Sequence, residues 1–370
     1  MESTFDGLNQ DIKDGMSGKN QFIPIGLPRL GRYANLRKNI LTLIFSTTGA
    51  GKSSMVDTII LNSVTNHMDH PYEIKPDFQL FSMERNSRLR IAKWIAFLVF
   101  INEGVEIQLP KMLGWWTEKI TPEEHSLILK QKPYIDQILN DYVTIHEGTK
   151  TPKEIYRIMK DHFEEKGEYE TIKTVDEKTG HEFSKKIYIP NRKDEIVSPI
   201  WDHGNLTKTT QELPSKKQTI DKLVEFAQGF RDLEGAAPIW IAKVNRTISG
   251  VTRMKDSEQE LMLEDVKESG DIADACDVAF SIFDPIKYNQ SSKTGYTPVD
   301  FVDKTNGNNY FRSAQVLKSS YGADSVRFPL AFNGFCGQMK ELPQRKDLRD
   351  DQYTNLLVDV LNKSFFLNNK

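Results

Sequence analysis

Lys52 sits between a glycine and two hydroxyls, Gly51-Lys52-Ser53-Ser54, at the end of the small-residue run Ser46-Thr47-Thr48-Gly49-Ala50. Successive backbone N–H groups in such a loop, opening a helix, form a nest for phosphate oxygens. A lysine at this spacing reaches the β- and γ-phosphates of a nucleotide, and the next hydroxyl ligates Mg2+. The usual pattern is G-x-x-x-x-G-K-[ST]. Here Ser46 replaces its leading glycine, while Gly49 and Gly51 supply flexibility. The candidate binding residues for ATP are Ser46, Thr47, Thr48, Gly49, Ala50, Gly51, Lys52, Ser53 and Ser54, with Lys52 on the phosphates and Ser53 on Mg2+. A GKS triplet arising by chance in a loop is the bland alternative, but strand-like ILTLIF precedes this one and helix-like SSMVDTIILNSV follows.

Hydrolysis also needs a base that positions water and a carboxylate behind the metal. The strand-like FQLFSMER brings Glu84 to its tip, a candidate to polarise the attacking water. EIVSPIWDHGN ends its apolar run at Asp202, a candidate Mg2+ carboxylate. A solvated or helix-capping Glu84 and an ordinary loop Asp202 are the plain alternatives.

These residues need a scaffold that aligns strand ends. From Ile40 onward strand and helix signals alternate: the two segments above, FQLFSM, SRLRIAKWIAFLVF, YVTIHE, TPKEIYRIMKDHFEE, EIVSPIWD, TIDKLVEFAQGFRDLEG, APIWIAKVN and DVAFSIF. Such alternation predicts an α/β fold, a mostly parallel sheet with helices on both faces. Residues 3–13 predict a short amphipathic helix with Phe5, Leu8 and Ile12 on one face, and SGKNQFIPIGLPRLGRY reads as linker and turns. Two insertions interrupt the pattern: a hairpin near 169–189, and a polar segment near 284–311 read as a loop with a second hairpin. QYTNLLVDVLNKSFFL predicts one C-terminal helix within 346–370.

Composition sets the outer limits. Two cysteines cannot build a disulfide framework, so a reducing, cytoplasmic setting is expected. The longest apolar run, 91–101, is too short to span a bilayer and carries Lys93, which predicts a buried helix and no membrane partner. A net charge of -3 excludes a general polycation, so any nucleic-acid contact must be local.

Several motifs together resemble the DnaB-type replicative helicases, the superfamily that includes the phage primase–helicases and mitochondrial Twinkle. FSMER is similar to their FSLEM element, WDH to the DH that ends the corresponding strand, and IWIAKVNR to a strand ending in QLNR. LEDVKESGDIADACD follows the pattern D-L-R-x-S-G-x-I-x-x-x-A-D, QVLKSSYG resembles K-x-R-x-x-G, and IPIGLPRLGRYA resembles the entry to the core. The resemblance covers roughly 20–342 and implies a RecA-like P-loop core, here 21–345 after an N-terminal linker helix within 1–20. It implies an ATP hydrolase and 5'-3' DNA helicase, assembled as a ring, usually a hexamer, around single-stranded DNA.

By the same resemblance, Lys243 stands where the family has a glutamine that senses the γ-phosphate. Ser320 stands where it has a trans-acting arginine, leaving Lys318, or else Arg327, to reach a neighbour's site. Loops after the strands carrying Asp202 and Lys243 face the ring axis in the family. This makes Lys208, Arg246, Arg253 and Lys255 candidate DNA contacts, although a solvated charge run is the plain reading. The opening helix resembles the family's linker helix, which docks on a neighbour; packing on its own core is the alternative. The expected chain is a core-only helicase, with priming or loading left to a separate primase or loader. Terse Lys/Asn/Asp-rich architecture suggests a phage source. The competing expectation is a RecA-like DNA-binding ATPase that assembles without unwinding, favoured by Ser320; a plain P-loop kinase ranks last.

Overall fold

The computed structural model describes residues 4–17, 21–69, 71, 74–84, 86–175, 182–245, 260–266 and 270–367. Its centre is a nine-stranded sheet. Six strands are parallel: β3 (Thr42–Ser46), β4 (Lys75–Ser82), β5 (Val143–Glu147), β8 (Glu195–Asp202), β9 (Ile239–Lys243) and β10 (Val278–Phe283). Three antiparallel strands extend one edge: β11 (Phe311–Ser319), β12 (Val326–Asn333) and β13 (Gln338–Glu341). Spatial order is β13-β12-β11-β10-β3-β9-β8-β4-β5.

Side chains alternate across the parallel strands, which explains their near-continuous apolar sequences. Ile44, Phe78, Leu80 and Ile200 enter one core with α3 (Lys52–Asp69) and α4 (Ser87–Glu103). Leu43, Phe45, Phe81, Trp201 and Trp240 enter the other with α8 (Pro152–Lys166) and α9 (Lys216–Leu233). Local chemistry fixes the helix starts. Thr151 and Ser215 form capping boxes with Glu154 and Gln218, and Asn86 accepts from the backbone of Arg88. Gly104, in the left-handed region, ends α4, so the run 91–101 is a helix with Trp94 fully buried.

The first insertion is a hairpin of β6 (Gly167–Val175) and β7 (Glu182–Pro190). A second hairpin in 284–311 does not form. That segment holds short 3-10 turns and one isolated bridge, Val302 to Asn309. Asp303 and Asn306 side chains accept from the backbones of Thr305 and Asn308, diverting groups that a ladder would use.

The stretch read as linker contains α2 (Pro28–Ala34) and a small pair, β1 (Phe22–Ile23) with β2 (Leu36–Arg37). Glu341 of β13 accepts from the Arg29 and Leu30 backbones, a cap supplied from far along the chain. The C-terminal helix is two pieces, Asp350–Leu361 and Ser364–Leu367, broken where Lys363 takes a positive φ of 71°. Three helices not assigned from sequence, α5 (Leu109–Met112), α6 (Pro122–Lys130) and α7 (Lys132–Asp141), lie between α4 and β5. They leave Trp115 and Trp116 exposed, whereas Trp94 is core.

The opening helix, α1 (Thr4–Met16), does not pack on its own core: Phe5, Leu8, Ile12 and Met16 are 72, 55, 52 and 84% exposed. Among the described residues no helix is long and apolar enough to cross a membrane.

Candidate nucleotide site

The loop between β3 and α3 leaves the carboxyl ends of the parallel strands, where crevices form in such sheets. Gly49 and Gly51 take φ of 85° and 106°, a region that disfavours side chains. A Cβ on Gly51 would also lie 2.4 Å from Met339. Ser46 is fully buried, its hydroxyl donating to the Thr47 carbonyl. Lys52 folds back on the loop, Nζ donating to Ser46 O, Ser46 Oγ and Thr47 O at 3.0–3.1 Å. Burial, and then the charge of Lys243, lower this ammonium to about 8.

A cleft of about 300 Å³ opens over the loop, lined by Thr48, Gly49, Gly51, Lys52, Ser53 and Ser54. Glu84, Lys93, His203 and Lys243 line it too. The ends of β4, β8 and β9 therefore deliver Glu84, Asp202 and Lys243 to one place. Ser53 Oγ donates to Asp202 Oδ1 at 3.3 Å, joining the two expected metal residues. Glu84 is gripped twice: Lys243 Nζ is 3.1 Å from Oε1 and His203 Nε2 is 2.6 Å from Oε2. Burial lowers the His203 imidazole to about 4 despite the nearby carboxylates of Asp202 and Glu84.

The supports of the site are not legible in the sequence. Arg90, buried within α4, bridges Asp57 (3.0 Å) and Asp202, and Trp94 Nε1 also donates to Asp57 at 3.0 Å. Lys93 donates to Ser54 Oγ at 2.8 Å. A second brace comes from the 284–312 segment. Lys287 Nζ donates to Thr48 O (2.6 Å), Arg312 Nε to Ala50 O (3.1 Å), and Asp284 pairs with Arg312 (3.3 Å). The available signal was the pair of cations, Arg90 and Lys93, on a helix whose centre is otherwise apolar.

Other expected residues lie outside the cleft lining. Lys318 Nζ donates to the carbonyls of Ala273 and Asp274, closing the helix Gly270–Ala275. Arg327 pairs with Glu260 at 2.7 Å, and Ser320 Oγ donates to Asp277 O. Lys208 is exposed, its backbone bound to Lys150 O. Arg246, Arg253 and Lys255 lie outside the described residues.

The loop fits a triphosphate: the cleft is polar and cationic, and buried Thr47 Oγ1 has no hydrogen-bond partner among the described residues. Ser53 and Asp202 suit Mg2+, a hard cation held by few protein oxygens together with substrate phosphates. Among the described residues no three His, Cys, Asp or Glu side chains cluster as a metal cage.

No protein-family model and no curated protein sequence matches the chain. Solved structures do match. One, an ATPase domain, superimposes with a TM-score of 0.65 at 15% identity, covering 93% of this chain and all of that one. A DnaB-like replicative helicase, described with its interactions with primase, gives a TM-score of 0.67 at 15% identity, covering 93% of this chain and 68% of that one.

Proposed function

We propose, from a chain that has the RecA-like fold of DnaB-type helicase ATPase domains, that this protein is an ATP-driven, ring-forming DNA helicase. The observation that carries the reading is the meeting of the 46–54 loop, Glu84 and Lys243 in one cleft, with Asp202 bonded to Ser53 behind its wall.

In this reading the loop backbone and Lys52 hold the phosphates, and Ser53 and Asp202 hold Mg2+, which neutralises charge on the triphosphate when bound. Glu84 takes the proton of the attacking water. The water oxygen bonds to the γ-phosphorus, the bond to the bridging oxygen breaks, and its electron pair leaves with the diphosphate. Arg90 pairs with Asp202 from behind and orients it.

Ring assembly is supported by the apolar face of α1, exposed among the described residues and suited to a second copy of the chain. DNA would be held by Lys208, Arg246, Arg253 and Lys255 through backbone phosphates. A separate primase or loader is proposed from the likeness to a DnaB-like helicase described with its interactions with primase, and translocation is assigned 5'-3' by resemblance to the helicases. A second reading, a RecA-like ATPase that assembles without unwinding, is favoured by the residues near the expected trans position. Ser320 replaces arginine, while Lys318 and Arg327 are engaged within their own chain.

Lys52→Ala removes the phosphate contact while leaving the loop glycines. ATP turnover should fall to background in a steady-state assay; turnover equal to wild type would refute the nucleotide assignment.

A further inference from the structure

Glu84 and Lys243 make a contact that water activation does not require. Lys243 occupies Oε1 of the carboxylate and His203 occupies Oε2, so both oxygens are engaged. Burial pushes the Glu84 carboxyl upward, but the hydrogen bond from Lys243 and the charges of His203 and Lys243 outweigh it. A carboxylate held this way is a poor base. The pair is also weak, its partners being 37 and 44% exposed. It stands in the cleft that the 46–54 loop lines, where a triphosphate would offer Lys243 a denser anion. Lys243 ends β9 directly opposite Ser46 of β3, which places its ammonium beside that loop.

We propose that Lys243 is a positioning residue that exchanges partners. Without nucleotide it binds and silences Glu84; a γ-phosphate draws it away and frees Glu84 to accept the proton of water. The inference rests on the nucleotide reading above. It follows that binding a nucleotide with a γ-phosphate must break the Lys243–Glu84 pair at a cost in affinity, whereas ADP leaves the pair intact.

The test is equilibrium binding of a non-hydrolysable ATP analogue and of ADP, each with Mg2+, to wild type, Glu84→Gln, Lys243→Gln and the double variant. Glu84→Gln should tighten the analogue about two- to fivefold, the worth of an exposed pair, and leave ADP unchanged. In the Lys243→Gln background the same substitution should change analogue affinity less than about twofold, and a Lys243→Arg background should restore the gain. An equal gain in every background, or an equal gain for ADP, would mean that Glu84 only repels phosphate and would overturn the exchange. Wild type that binds neither nucleotide would remove the premise and the exchange with it.

Discussion

At the scale of single residues, the site depends on charges that must be compensated where they are buried. Arg90 is fully enclosed between Asp57 and Asp202. Replacing one member of such a cluster leaves the others buried and uncompensated, at a cost of about 3–5 kcal/mol. Arg90→Leu should therefore lower stability by that amount in urea unfolding. A loss under about 1 kcal/mol would mean that the carboxylates are solvated or protonated. The same cluster marks the limit of what the chain announced. Lys52, Ser53 and their glycines are legible because the nest is local. Glu84 and Asp202 are legible because each ends an apolar strand. Arg90 was not, because its partners lie 33 and 112 positions away, and an arginine in an apolar helix does not name its carboxylates.

At the scale of elements, helices are tied to strands by polar contacts whose strength depends on pH. Asp77, in β4, receives His162 Nε2 at 2.9 Å and Lys166 Nζ at 3.0 Å from α8. Burial alone would raise this carboxyl, but the His162 hydrogen bond and the charges of His162 and Lys166 bring it to about 2. The folded value lies below the unfolded one, so the contribution is present above about pH 3.9 and is lost as pH falls toward 2. Asp77→Asn should cost about 2 kcal/mol at pH 6, a gap that closes by about pH 2. Urea unfolding of both forms at each pH measures it, and a gap that persists at the acid end would contradict the assignment. α1 makes the opposite kind of prediction, because its apolar face touches little of its own chain. Changing Phe5, Leu8 and Ile12 together to serine should leave the unfolding midpoint at low protein concentration unchanged and abolish higher assemblies in sedimentation. Assemblies that survive would place the interface elsewhere. The helical periodicity revealed this element, but periodicity cannot say whether its partner is the same chain. α2 was hidden for a related reason: its cap, Glu341, is supplied from another strand.

At the scale of the whole molecule, strand–helix alternation was enough to foresee the parallel sheet and its two cores. The antiparallel edge β11–β13 and the turn-built 284–311 segment were less legible. Their backbone groups are satisfied by distant strands and by Asn and Asp side chains that local patterns do not rank. The edge also places Phe332 and Gly334 in the cleft lining, while Lys287 and Arg312 brace the loop. In the proposed reading, hydrolysis takes place where the strand ends bring Glu84, Asp202 and Lys243 to the 46–54 loop, and the helicase reading requires that turnover there become movement along DNA. The most direct measurement is strand displacement from a forked duplex by the purified chain, with ATP and with a non-hydrolysable analogue. Strand release with ATP and none with the analogue is the expected result. ATP hydrolysis in the presence of single-stranded DNA without any strand release would contradict it, and would identify an ATPase that does not unwind.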